Sequence, residues 1–172
     1  IMSKKNNKMA NKTVSTLKTN NRDWKHVMDS FVPAIYQNYS VITAATLTAV
    51  ANYEYTIGRA AGIDVTLPTM AEGDRIKFNV SVTVTSNAYD FATSATSVLY
   101  SGYAFIEDND NAADNDYAYF APDGSDDDAI ALNGTTTGGL IGDQLEFMGV
   151  SSTNVLVRAW LKGTGTIATC FS

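Results

Sequence analysis

The stretch "RIKFNVSVTVT", Arg75 to Thr85, most limits what this chain can fold into. Ile76, Phe78, Val80, Val82 and Val84 alternate with Arg75, Lys77, Asn79, Ser81, Thr83 and Thr85. A period of two puts every apolar residue on one side of a β-strand and every polar one on the other. Such a strand has one wet face, which reads as an antiparallel sheet packed on one side only. The strand opens with "GDRIKF", and the same signature returns as "GDQLEF" at residues 142 to 147. In each, Gly supplies a tight turn, Asp caps it through its own side chain, and the next residues enter a core strand. Two equivalent corners of one fold need the same chemistry, so convergent turns explain the repeat as well as duplication does.

Further strands follow from the same reasoning. "IDVTLP" alternates Ile63, Val65 and Leu67 against Asp64 and Thr66, and "SVLYSGYAFIE", "DYAYFAP" and "AIALNG" add three more segments. After "GDQLEF", Gly149 breaks the alternation and marks a bulge, "SSTN" makes a hairpin turn, and "VLVRAWL" is the return strand. Seven to nine short strands with little helix imply an all-β fold: an antiparallel β-sandwich, jelly-roll-like, over residues 39–172. Residues 1–38 read as an extended basic arm carrying a short helix. Trp24, Val27, Met28 and Phe31 have helical spacing there, and Pro33 stops the turn.

Charge divides the chain the same way. Seven of the twelve basic residues fall in the first 25 positions, whereas half of the eighteen acids lie between Glu107 and Asp128. The arm therefore seeks an acidic surface. Lys4, Lys5, Lys8 and Lys12 supply attraction, and Trp24, Phe31 and Tyr36 are the apolar anchors. Little aromatic interleaving accompanies the lysines before Trp24, so nucleic acid is not the expected partner. No stretch is long enough to cross a bilayer, and Cys170, the single cysteine, allows no internal disulfide. Synthesis in a reducing cytoplasm is the expectation.

Catalytic equipment is sparse. His26 is the only histidine, no nucleophile-elbow or phosphate-cradling motif occurs, and one His with one Cys cannot close a zinc site. A glycosidase pair would need one carboxyl held in a cleft, while these acids crowd a loop rich in Asn and Asp. The expected protein is not an enzyme and needs no cofactor. The one metal reading is calcium at Asp108, Asp110, Asp114 and Asp116, with Asp126, Asp127 and Asp128 behind them. That loop lacks the Gly and the closing Glu of an EF-hand, and the competing reading is a solvated acidic loop. Tyr100, Tyr103, Tyr117, Tyr119 and Trp160 are expected as core or interface fillers, with a sugar platform as the alternative.

Two longer units carry a resemblance: "IDVTLPTMAEGDRIKFNVSVTVTSNAY" and "GGLIGDQLEFMGVSSTNVLVRA", followed by the tail "GTGTIATCFS". Over roughly residues 45 to 172 the chain resembles the capsid decoration, or cement, proteins of tailed bacteriophages and related virion β-sandwich modules. Similar units occur in head and tail fibres. The resemblance implies a trimeric structural protein on the outer capsid surface of a virion, with the major capsid protein as partner and capsid stabilisation as its task. The alternative it implies is a fibre module that grips a host glycan.

Overall fold

The computed structural model describes residues 38–110 and 117–172. Eleven strands run in chain order: β1 (Asn38–Ile42), β2 (Thr46–Thr48), β3 (Tyr53–Ile57), β4 (Ile63–Thr66), β5 (Arg75–Val80) and β6 (Tyr89–Ala92), then β7 (Leu99–Asp108), β8 (Tyr117–Phe120), β9 (Ala129–Leu132), β10 (Gln144–Ser151) and β11 (Asn154–Gly163). No helix occurs among the described residues. The expected arm and its helix lie outside them. Seven strands form one sheet in the order β1-β3-β5-β10-β11-β7-β8, and four form a second in the order β2-β4-β6-β9. The eleven strands among the described residues exceed the expected seven to nine because β1, β2, β3 and β6 add to the segments read as strands from the sequence.

The antiparallel expectation is corrected. Five of the nine ladders are parallel: β1–β3, β3–β5, β2–β4, β4–β6 and β7–β11. The cause is the chain path. From β1 to β6 each strand crosses to the opposite sheet, so the next but one returns beside its predecessor and runs the same way. Alternating hydrophobicity reports that one face is buried; it carries no information about direction. A second correction falls on the founding stretch. β5 ends at Val80, where the Ser81 N–H and hydroxyl both donate to the Ile57 carbonyl, at 3.0 and 2.7 Å. Val82 then accepts a bond from the Tyr89 hydroxyl at its carbonyl, 2.6 Å away, and Val84 is buried from an irregular segment.

One core lies between the two sheets. Phe78 of β5 meets Phe91 of β6 edge-on at 4.9 Å between ring centres, and Phe91 meets Phe147 of β10 at 5.7 Å. Tyr55 and Tyr100 extend this aromatic cluster to either side of Phe78 and Phe147. The Tyr100 hydroxyl is kept paired in the dry interior by the Phe91 carbonyl, 3.1 Å away.

The two Gly-Asp turns occupy matching places at opposite ends of the β5–β10 ladder. Gly73 and Gly142 have φ of +88° and +95°, the left-handed setting that position three of a type II turn requires. The Gly73 N–H donates to the Gly149 carbonyl at 3.0 Å, and Gly149 returns a bond to Asp74 at 2.9 Å. The Gly142 N–H likewise donates to Val80, and Val80 to the Asp143 carbonyl, both at 2.9 Å. A local two-fold relation therefore joins the copies. The β10–β11 ladder shifts register between Gly149 and Ser151, so the expected bulge is present. Gly149 also lets the first turn close down, since a Cβ there would fall 2.0 Å from the Ala71 carbonyl oxygen.

The capping carboxylates differ in burial. Asp74 Oδ2 accepts the Ala71 N–H at 2.9 Å on the surface. Asp143 is fully buried and accepts three backbone N–H bonds: Gly139 at 2.7 Å and Leu140 at 3.0 Å on Oδ2, and Lys162 at 2.9 Å on Oδ1. Asp143→Ala orphans all three donors and should cost about 3 kcal/mol or more, against about 1 kcal/mol for Asp74→Ala, measured by denaturant unfolding. Burial pushes the Asp143 carboxyl up from 3.8 to about 6, outweighing the N–H bonds and the Lys162 charge that pull it down. A raised folded value means that the group favours folding fully below 3.8 and loses that contribution as pH rises through about 6. Unfolding midpoints across this window should fall with rising pH more steeply in the native chain than in the Asp143→Asn chain.

Candidate functional site

The outer face of the seven-stranded sheet divides into two halves. Toward β3 and β5 it is charged and self-satisfied. Arg75 meets Glu146 at 2.8 Å, Arg158 reaches the other Glu146 oxygen at 4.0 Å, and Lys77 lies 3.6 Å from Glu54, which also accepts Asn79 at 2.7 Å. These pairs are open to solvent and each stabilises by no more than about 1 kcal/mol. A shallow dip lined by Arg75, Glu146, Met148, Leu156 and Arg158 lies among them.

Toward β8 the face turns aromatic. The ladders place Trp160 of β11, Phe105 of β7 and Tyr119 of β8 in one row across three strands. Tyr103 and Tyr117 flank that row. Tyr103 stacks on Tyr119 at 6.0 Å between ring centres, and Phe105 contacts Tyr119 at 5.9 Å and Tyr117 at 6.3 Å. Alternation explains the placement: Tyr100, Ala104, Ile106, Ala159 and Leu161 fill the core, so their neighbours in sequence must face out. Phe105, Tyr117, Tyr119 and Trp160 are 40%, 62%, 59% and 49% exposed. Rings that hold one another in place lose little further freedom on binding, which suits an adhesive surface.

The residues singled out in the sequence separate accordingly. Tyr100 is core, whereas Tyr103, Tyr117, Tyr119 and Trp160 come together on the outer face. Phe105 completes the cluster and was not picked out by sequence reasoning. Its signal is the alternation Tyr103, Phe105, Glu107, which sets a phenyl ring on the same side as a carboxylate. Lys4, Lys5, Lys8, Lys12, Trp24, Phe31 and Tyr36 lie outside the described residues, as do Asp114 and Asp116. Asp108 ends β7, and Asp110 follows it, its carboxylate accepting the Gly165 N–H at 2.6 Å; that bond holds the Asp110 pKa below its usual value. Asp127 is buried and accepts the Asp123 N–H, while Asp126 is exposed. Among the described residues, no three His, Cys, Asp or Glu side chains converge on a point that could hold a metal ion.

One carboxylate pair stands on the four-stranded sheet. Asp64 and Asp90 are register partners, and burial first, then the Asp64 charge, lifts the Asp90 pKa. Their rows continue into Thr46 and Ala131 on an open face of small residues. No protein-family model, curated protein or solved structure matches the chain.

Because Tyr117 and Tyr119 contribute more to the surface than to the core, changing both to Ser should leave the melting temperature within a few degrees, a cost under about 1 kcal/mol. The same change should shorten retention on a hydrophobic interaction column. Tyr89→Phe is the contrast, since its buried hydroxyl bonds the Arg59 and Val82 carbonyls at 2.7 and 2.6 Å, and it should lose about 1 kcal/mol or more.

Proposed function

We propose that this chain is an adhesion module of a virion: a capsid decoration, or cement, protein that sits on the outer surface of a phage head and stabilises contacts between capsomers. The observation that carries the reading is the ring cluster of Tyr103, Phe105, Tyr117, Tyr119 and Trp160 on the outer face of a sheet whose other side is solid core. An isolated folded domain gains nothing from keeping four large aromatics in water, and patches of this kind mark interaction sites. Its resemblance to phage decoration modules supports the same reading. The two sheets with their shared core are then a β-sandwich, and the jelly-roll-like course would ask for antiparallel neighbours, which four of the nine ladders supply.

The mechanism is mass action. A protein that binds the assembled shell and not its separated subunits stabilises assembly by that difference in affinity. Trimerisation multiplies the effect, because linked copies engage as one multivalent unit. Lys4, Lys5, Lys8 and Lys12 steer the arm toward an acidic shell of major capsid protein, and Trp24, Phe31 and Tyr36 anchor it. The module carries out no chemistry and takes no cofactor in this scheme, and calcium at the acidic loop is not part of it.

A second reading is a fibre module that grips a host glycan, favoured by the three tyrosines of the cluster, whose hydroxyls bring hydrogen-bonding edges to an apolar surface. Mass spectrometry of purified heads stripped of tails separates the two: a cement protein stays with the head in many copies. A chain cut to remove residues 2 to 30 should lose head occupancy and keep its β circular-dichroism signature. Occupancy unchanged by that cut would take the arm out of the mechanism. Binding on a glycan array, lost with Tyr117→Ser or Tyr119→Ser, would instead establish the second reading.

A further inference from the structure

The geometry points to β8 as a docking edge that receives an extended segment of a partner protein as an added strand, the segment having apolar alternate residues and basic flanks. This deepens the adhesion reading by naming how a partner is held, and it rests on that reading only for the claim that a protein partner exists.

The argument begins with the sheet edges. Among the described residues, two sheets have four. The β9 edge is closed by the chain's own tail, with Ala129 and Ser172 exchanging bonds at 2.9 and 3.1 Å and Ala131 donating to Cys170 at 2.9 Å. The β2 edge is three residues long. That leaves β1 and β8, at the two ends of the larger sheet. An outer strand presents unpaired N–H and carbonyl groups on alternate residues, and natural proteins usually blunt such an edge with Lys, Pro or an inward charge. β8, "YAYF", is short at four residues but carries no Lys, Pro or charge within the strand; the nearest Pro is Pro122, two residues past its end. Backbone pairing to an added strand is thus available there, with Tyr117 and Tyr119 as the exposed side-chain row that such a strand would lie beside.

Charge separates β8 from β1 and states the partner's chemistry. Glu107 is the register partner of Tyr117, and Asp110 follows close behind at that end. Asp123 and Asp126, both exposed, stand past Phe120 at the other. Hydrogen bonds from Ser125 hold the Asp123 carboxyl below its usual pKa, as the Gly165 bond does for Asp110, so both ends stay anionic through the neutral range. The cations of the charged half, Arg75, Lys77 and Arg158, are engaged with Glu54 and Glu146, and Lys162, which shares a register row with Glu107, also acts on Asp143. An uncharged aromatic edge between two anionic ends selects a strand that is apolar in the middle and basic outside. It disfavours a polyanion and a second, equally acidic copy of this body. β1, by contrast, is "NYSVI", with neutral Thr43 after it.

Tyr117 and Tyr119, 62% and 59% exposed, supply the apolar area at the edge itself. At about 200 Å² each they put on the order of 240 Å² in water. A strand along the edge with its flanks must supply the rest of the roughly 800 Å² that one partner buries in a standard interface.

The test uses the full chain and blocked synthetic peptides. The probe alternates Val and Thr and carries paired Lys at both ends; its controls carry Glu at the ends, or Pro in the middle. Amide hydrogen exchange of Tyr117 to Phe120 should slow with the Lys-flanked probe. Affinity should fall about tenfold with Glu flanks or raised salt, and binding should vanish with the central Pro, which cannot complete a ladder. Tyr117→Ser with Tyr119→Ser should weaken binding while the melting temperature stays within a few degrees. Glu107→Gln with Asp123→Asn should abolish the preference for Lys over Glu flanks. Protection that falls on β1 instead, binding indifferent to the central Pro, exchange that slows with protein concentration alone, or no protection at β8 with any probe would each overturn the proposal. Head occupancy is read separately, so a peptide result of either sign leaves the virion assignment to its own experiment.

Discussion

Three backbone amides converge on the buried carboxylate of Asp143, and the larger sheet depends on that meeting. Oδ2 gathers the Gly139 and Leu140 N–H groups and so folds the loop ahead of β10; Oδ1 takes the Lys162 N–H from β11. One side chain therefore ties the entry of β10 to the far end of its hairpin partner. Burial lifts its pKa to about 6, so the site disfavours the ion even with the three N–H bonds and the Lys162 charge pulling the other way. Left without that acceptor, each of the three amides would carry the cost of an unpaired buried donor.

The matching turn at Gly73-Asp74 shows what the repeated sequence builds. Two short segments lie antiparallel with a turn at each outer end, and each turn hydrogen-bonds the last residue of the other segment. Only one of the two carboxylates is interior. Asp74 caps the surface copy and adds a bond from the Asn52 amide at 3.0 Å, where the buried copy has Lys162. The same local chemistry thus meets different surroundings, and the surroundings decide how much each carboxylate contributes.

Several particulars of this architecture can be read from the residues, and others cannot. Ile76, Phe78 and Val80 announce their burial by alternation, and Gly149 announces the bulge by interrupting it. Val82 and Val84 carry the same alternation without a strand, because Ser81 spends its donors on Ile57 and the chain departs. Pattern cannot see that tertiary bond. Strand direction is equally silent, since a residue facing a core looks alike whichever way its neighbour runs. At the candidate site, Tyr103, Tyr117, Tyr119 and Trp160 are visible as aromatics. The tyrosines meet through the antiparallel β7–β8 ladder, and Trp160 joins them through the parallel β7–β11 ladder, a contact between segments some fifty residues apart.

The order of strands in the larger sheet also has a consequence for how the chain reaches this form. Winding from β1 to β6 needs only segments already synthesised, each settling beside the strand two before it. β5 and β7 share no ladder; between them stand β10 and β11, which follow β7 and β8 in the chain. The hairpin is a keystone. Until it slots in, β7 and β8 have no neighbour in the larger sheet beyond each other, and Trp160 has yet to join their rings.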